Sequence, residues 1–298
     1  MLRYLHLDVF TSRLFEGNQL AVFPDPGALS TAQMQAIARE MAFSESTFIY
    51  PAEGNGDVKM RIFTPEAELP IAGHPTVGST FALAAEGRIA RGRTDFVFEL
   101  GVGPTPVSLE WNGDQLAFVW MTQPLPSFQG IVEDRATMAE VLGVAVADLV
   151  PGLPIQAVAC GVPFLYTALA NRPSVDAVTV DRRKLVRACE RIGLPELPVF
   201  VFTTAGGDGS TVYSRMLAPG FGVGEDPATG SASGPLGSYL VHHRVVSPEV
   251  ARQLVSLQGV AMGRPSRIHI SIDTGDSAIT RVRVGGEAVM VGEGKIRV

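Results

Sequence analysis

The chain has 298 residues, a net charge of −6 at neutral pH, 46% hydrophobic and 18% charged residues, 32 glycines and 21 prolines. This is the composition of a turn-rich globular protein, large for one core and comfortable for two domains, and it excludes a disordered or fibrous chain. No long Lys/Arg run offers a nucleic-acid footprint or a polybasic membrane patch, so the expected partner is a small soluble ligand, with no nucleic acid and no membrane.

From the N-terminus, residues 2–10 and 18–23 read as strands joined by the turn Phe15-Glu16-Gly17-Asn18. Ser30, with Gln33 three residues on, has the form of a capping box. Met34, Ile37, Ala38 and Met41 then fall at helical spacing, which predicts a helix with one buried face. The pattern switches at Phe43-Ser44-Glu45-Ser46 to a strand over Thr47–Tyr50. Further strands are expected at 57–63, 95–100, 105–111 and 115–121, and a helix at 76–86.

Thr122-Gln123-Pro124-Leu125-Pro126 is the expected domain boundary, because its two prolines stiffen the chain where the first strands run out. The second half predicts a helix near 134–149, strands at 154–160 and 163–169, and a helix at 181–193. Strands at 198–204 and 210–217 follow, then a helix opened by Gly230-Ser231. Strands at 267–272, 280–285 and 288–292 close the chain. The expected domains are 1–122 and 123–285, with 286–298 open to packing back onto the first. The start of the chain lacks the apolar core and cleavage site of a signal peptide. The longest apolar stretch, Ile155–Ala170, is broken by Gln156, Gly161 and Pro163, so a cytoplasmic protein is expected. Cys160 and Cys189 are too few for a disulfide framework and read as buried thiols.

One construction occurs twice. Arg61-Ile62-Phe63-Thr64-Pro65 runs on to Ala72-Gly73-His74, and Arg215-Met216-Leu217-Ala218-Pro219 runs on to Thr229-Gly230-Ser231. Each is a strand, a polar loop and a glycine turn opening a helix, so the halves are expected to superpose with Gly73 and Gly230 facing one cleft. Two helix N-termini would suit a carboxylate, held by the backbone at Gly73, Gly230 and Ser231. The reactive groups differ. The first half supplies Glu45 and His74, the second Asp226, and alignment of the copies places Gly161 or Val162 opposite Glu45. A carboxylate among Phe43, Ser44, Ser46 and Phe48 is partly desolvated, which raises its pKa toward neutrality and suits it to moving protons.

Other chemistries lack their residues. No Gly-Lys-Ser/Thr follows either turn, and Gly220, Gly222 and Gly224 lack dinucleotide-fingerprint spacing. The three lysines, Lys59, Lys184 and Lys295, lie outside the glycine turns, which argues against a pyridoxal cofactor. No helical His pair or Cys/His spacing marks a metal site. His6 and His269 sit in strand patterns and read as structural, and His242-His243 reads as a solvated helix end.

Several motifs together resemble the phenazine-biosynthesis PhzF family: Asp8-Val9-Phe10-Thr11 with Gly17-Asn18, Phe43-Ser44-Glu45-Ser46-Thr47-Phe48, Arg61-Ile62-Phe63-Thr64-Pro65, Ala72-Gly73-His74-Pro75-Thr76, and Glu225-Asp226-Pro227-Ala228-Thr229-Gly230-Ser231-Ala232. They occur in family order along nearly the whole chain. The resemblance implies an α+β fold like that of diaminopimelate epimerase, with two pseudo-symmetric domains, each a curved, mostly antiparallel sheet around a central helix. Where those epimerases carry a cysteine in each domain this chain has Ala72 and Thr229, so a two-thiol racemase is excluded. It further implies a homodimeric, cofactor-independent isomerase, without metal, moving a proton on a small carboxylate such as trans-2,3-dihydro-3-hydroxyanthranilate. Carried over, Glu45 removes and returns the proton, and His74 and Asp226 orient the substrate or assist transfer. Ser44, Gly73, Gly230 and Ser231 would bind it. Two other readings stay open: a racemase or epimerase of a small amino or hydroxy acid, and a non-enzymatic ligand-binding or protein-interaction module.

Overall fold

The computed structural model describes residues 1–276 and 278–298. The chain forms two compact units, the first made of Met1–Thr122 and Val284–Val298, the second of Gln123–Arg283.

The first unit opens with Leu2–Val9 (β1), Asn18–Phe23 (β2), the helix Thr31–Met41 (α1), Glu45–Pro51 (β3), Val58–Phe63 (β4) and Glu68–Leu69 (β5). The helix Gly73–Ala85 (α2) and the strands Asp95–Leu100 (β6), Gly103–Asn112 (β7) and Gln115–Gln123 (β8) complete the run. The second unit contains Ser127–Val132 (β9), Arg135–Leu142 (α3), Ile155–Ala159 (β10), Pro163–Ala168 (β11), Arg172–Asp176 (α4), Arg182–Arg191 (α5), Val199–Thr203 (β12) and Val212–Ala218 (β13). Val223–Asp226 (β14), Gly230–His242 (α6), Pro248–Ala251 (α7), Leu254–Gln258 (β15), Ser266–Gly275 (β16) and Ala278–Gly286 (β17) follow. The last strand, Ala288–Ile296 (β18), returns to the first unit and pairs antiparallel with β1.

The repeat is written in the strand pairing. In the first unit β1 and β2 are antiparallel, β2 and β3 parallel, β3 and β4 antiparallel, β4 and β5 antiparallel, and β4 and β6 parallel. The second unit repeats each relation in order for β10, β11, β12, β13, β14 and β15. Parallel neighbours need a crossover, which α1 supplies between β2 and β3 and α4 with α5 between β11 and β12. Setting Arg61 against Arg215 then fixes the register. Arg61 pairs with Phe48 and Arg215 with Val201, so the counterpart of Glu45, three residues earlier, is Pro198. This corrects the Gly161 or Val162 expected from alignment. Those two residues are the counterparts of Gly17 and Asn18, since Phe23 pairs with Phe48 and Thr167 with Val201. Sequence alignment slipped because the crossover before β12 carries two helices where the one before β3 carries α1 alone.

The same register aligns 68–85 with 225–242 without a gap, so α2 and α6 coincide over their 13 residues each. Ten residues of each are buried, which identifies them as core helices rather than amphipathic surface ones. In its own unit α2 packs on β1, β2, β3 and β18, and α6 on β10, β11 and β16. Close approach needs small residues: a Cβ on Gly78 would stand 2.6 Å from both Leu20 Cδ2 and Val9 Cγ2. Even a back-bond repeats, Thr76 Oγ1 donating to the Ala72 carbonyl at 2.7 Å and Ser233 Oγ to that of Thr229 at 2.9 Å.

On the outer face of the first unit α1 covers Phe23, Phe48 and Phe63, stacked at 4.7 Å and edge-on at 5.6 Å. Its Ser30–Gln33 capping box is present as expected. In the second unit α3 and α5 pack together over β10, β12 and β13. The helix expected over 134–149 ends at Leu142, because Gly143 takes the left-handed C-cap at φ 67° and donates to the Ala139 carbonyl. A separate 3₁₀ turn covers Val146–Asp148. β5, β9, β14, β15, α4 and α7 were not anticipated. They are two to six residues long, too short for a period to show in the sequence. Cys160 and Cys189 are buried free thiols, and no helix among the described residues is long and apolar enough to cross a membrane.

Candidate active site

Glu45 is the first residue of β3, and His74 the second of α2. Their approach follows from the packing of α2 on β3. Glu45 Oε2 lies 3.2 Å from His74 Nε2, with the two side chains only 16% and 4% exposed. On the other side of the ring, Asn18 Nδ2 is 3.3 Å from His74 Nδ1. The Nε2–Oε2 approach is a close contact without hydrogen-bond geometry. Burial pushes the His74 pKa down to about 3, with a hydrogen bond to the Gln19 backbone opposing, so the imidazole is neutral at pH 7. A neutral imidazole beside a carboxylate does not neutralise it. Ser44, half-buried, precedes Glu45 in a bend, and Gly73 is the buried first residue of α2.

The second unit builds a different group on the equivalent turn. Asp226 ends β14 and is buried. Thr229 Oγ1 donates to its Oδ2 at 2.6 Å, a short bond of the charge-assisted kind. Gln258, at the end of β15, donates from Nε2 to the Asp226 carbonyl at 2.8 Å and to Thr229 Oγ1 at 3.0 Å, while its Oε1 accepts the Thr229 N–H at 3.2 Å. Gly230 and Ser231 open α6 immediately after.

The two core helices share a further peculiarity. α1, α3, α4, α5 and α7 are each capped by a side chain, from Ser30, Asp134, Asn171, Asp181 and Ser247. At α2 and α6 the cap positions are Ala72, which has no polar side chain, and Thr229, whose hydroxyl is turned to Asp226. Such helix starts leave first-turn N–H groups for an anion.

Of the residues expected from sequence, Glu45 and His74 are in contact in the first unit, beside Gly73. Asp226, Gly230 and Ser231 share one turn of the second. Asn18, Thr229 and Gln258 were not anticipated as site residues. Asn18 had a signal, a polar residue opening an apolar strand after a glycine turn. Gln258 had none locally and becomes visible only against its counterpart Leu100.

The family model for phenazine biosynthesis-like protein, PhzC-PhzF, matches residues 7–294. Trans-2,3-dihydro-3-hydroxyanthranilate isomerase of Pseudomonas aeruginosa is 36% identical over 295 residues, 99% of each chain. Among solved structures, a PhzF-family phenazine biosynthesis protein of Bacillus anthracis has a TM-score of 0.89 at 24% identity, covering 100% of this chain and 99% of its own. A predicted epimerase of Pseudomonas aeruginosa has a TM-score of 0.83 at 30% identity, covering 100% of both chains. The chain therefore belongs to the phenazine biosynthesis-like PhzC-PhzF family and is an isomerase of that type.

Proposed function

We propose that the protein moves a proton on a small ring-bearing carboxylate, as in the isomerisation of trans-2,3-dihydro-3-hydroxyanthranilate, with Glu45 as the general acid/base and no cofactor. The observation that carries this reading is the Glu45–His74 pair, a largely buried carboxylate 3.2 Å from a neutral imidazole on a core helix. Glu45 takes a proton from substrate carbon as a carboxylate and, as a carboxylic acid, returns it elsewhere on the ring. One group can do both because the two transfers are sequential. His74 orients the bound substrate or assists the transfer. Asp226 takes the amino group, and the amides at Gly73, Gly230 and Ser231 take the carboxylate, which fixes the ring and lowers the entropic part of the barrier.

The test is Glu45→Gln, assayed with trans-2,3-dihydro-3-hydroxyanthranilate in D₂O. Turnover and deuterium incorporation should fall by about a hundredfold or more with affinity kept, because the amide keeps the shape and cannot take a proton. Wild-type exchange in that variant would make Glu45 structural. A homodimer is part of the proposal, and sedimentation as a species of the 31.6 kDa chain mass would overturn that part.

A further inference from the structure

The strand register pairs three apolar positions of the first unit with the three polar ones of the second. Ile62 pairs with Leu69 as Met216 does with Asp226, which makes Leu69 the counterpart of Asp226. Ala72 precedes Gly73 as Thr229 precedes Gly230, and Lys59 pairs with Glu99 as Tyr213 does with Leu257, so Leu100 is the counterpart of Gln258. Both halves bring a glycine against a proline here, but the local backbone differs: Gly259 is left-handed at φ 77° where Gly101 is not, and Thr229 stands at φ −108°, ψ 89° where Ala72 stands at φ −152°, ψ 152°. A Cβ on Gly101 would lie 2.9 Å from Pro70 Cα, and one on Gly259 2.5 Å from the carbonyl oxygen of the equivalent Pro227. The first unit builds its turn with Leu100 and Ala72. A buried helix can thus start after a strand of this kind with no polar side chain at either position.

We infer that Gln258 is a positioning residue for Asp226, acting through Thr229; this rests on Asp226 holding substrate, as proposed above. The hydrogen-bond directions leave one arrangement. The Asp226 carbonyl only accepts, so the Gln258 nitrogen must face it, and the Thr229 N–H only donates, so the Gln258 oxygen must face that. The second Nε2 hydrogen goes to Thr229 Oγ1, which leaves the threonine hydrogen to Asp226 Oδ2. Gln258 is 0% exposed, so no water replaces it in this chain of bonds. The amide thus fixes the rotor of a hydroxyl, and the hydroxyl fixes one oxygen of the carboxylate. The Asp226 carboxylate is thereby held in one orientation for the substrate's amino group.

The experiment is a double-mutant cycle read by calorimetric affinity for 3-hydroxyanthranilate, which keeps the carboxylate and amino group and has no proton to move, and by kcat/KM for the dihydro compound. Gln258→Leu and Thr229→Val should each weaken binding by about tenfold. Thr229→Ser, which keeps the hydroxyl, should recover most of the Thr229→Val loss. In an Asp226→Asn background Gln258→Leu should add nothing further. Gln258→Glu, close in shape but lacking the two donors, should match Gln258→Leu and serves if the leucine variant does not fold. Full additivity of Gln258→Leu with Asp226→Asn, or wild-type affinity in Gln258→Leu and Gln258→Glu, would overturn the inference. Wild-type affinity in Asp226→Asn would instead overturn the reading of Asp226 as a substrate ligand.

Discussion

The two halves of the chain share a skeleton but carry their side-chain hydrogen-bond networks at different positions of it. Both close a strand hairpin with a bidentate pair, Arg61 on Glu68 and Arg215 on Glu225. Both set a glycine against a proline, and both start a buried 13-residue helix without a side-chain cap. Yet Asn18, Glu45 and His74 correspond to Val162, Pro198 and Ser231, while Asp226, Thr229 and Gln258 correspond to Leu69, Ala72 and Leu100. Wherever one half carries a polar network, the other is inert or small at the same places. The framework is a property of the fold, and each network can be changed without asking the other half to change.

The largest effect is expected where the shared clamp sits in unlike surroundings. Arg215 is 10% exposed and also donates from Nη1 to the carbonyls of Val175, Asp176 and Val178, whereas Arg61 is 23% exposed and adds one bond, to Thr31 Oγ1. Arg215→Met leaves Glu225 without its bidentate partner and takes a donor from three carbonyls, of which Val175 keeps the Val178 N–H, and should lower unfolding free energy by about 3–5 kcal/mol. Arg61→Met should cost about 1 kcal/mol or less in urea denaturation. Equal losses would mean that the clamp, and not its burial, sets the energy.

Next comes the division of labour. Glu45→Gln should lose about 2.7 kcal/mol or more of transition-state stabilisation in kcat with KM nearly unchanged, the hundredfold above in energy terms. Asp226→Asn should raise KM as well as lower kcat. Identical kinetic signatures for the two variants would erase the distinction between a proton-moving half and a substrate-holding half.

The third test uses acid. His74 has a folded pKa of about 3 against an ordinary 6.5, so below about pH 6.5 the unfolded chain takes up a proton that the folded one refuses. Its contribution is intact above that pH and is lost as pH falls toward 3. Between about pH 7 and about pH 5 wild type should lose about 2 kcal/mol more than His74→Asn in urea titrations. His243, also pushed down by burial, adds the same sign to both proteins and cancels in the difference. Parallel pH curves would mean that His74 is protonated in the folded state.

The smallest effect concerns a bond the halves share. Thr76→Val and Ser233→Ala each remove one back-bond within a core helix and should change stability by less than about 1 kcal/mol, and by similar amounts. A large difference would show that the helices are not energetically equivalent despite their matching register.

What was legible in the sequence was local. The Ser30–Gln33 cap, the positions of most longer strands and the duplicated glycine turns depend on residues within a few places of each other, and the structure contains them. What was not legible depends on pairing at a distance. β15 is five residues long and lies parallel to β13, with Val212 paired to Ser256, as well as antiparallel to β16. Glu45 stood out because a carboxylate follows an aromatic residue at a change of period. Its true counterpart, Pro198, needed the strand register. Gln258 looks like the ordinary end of an apolar strand, and its partners Asp226 and Thr229 lie 32 and 29 residues away.

The return of β18 to β1 sets an order of events during synthesis on the ribosome. The second unit is one continuous stretch, so all of it has been made before Val284 is added. The first unit must wait for Val284–Val298. At roughly 5–20 residues per second, making the second unit leaves β1 with one edge unpaired for about ten to thirty seconds. During that interval residues 2–9 are a bare strand edge in a crowded cell, open to any other nascent chain with a free edge of its own. Shortening that wait, by a circular permutation that opens the chain at Glu287, between β17 and β18, and joins Val298 to Met1 through a short linker, should raise the yield of soluble protein while keeping both strands whole.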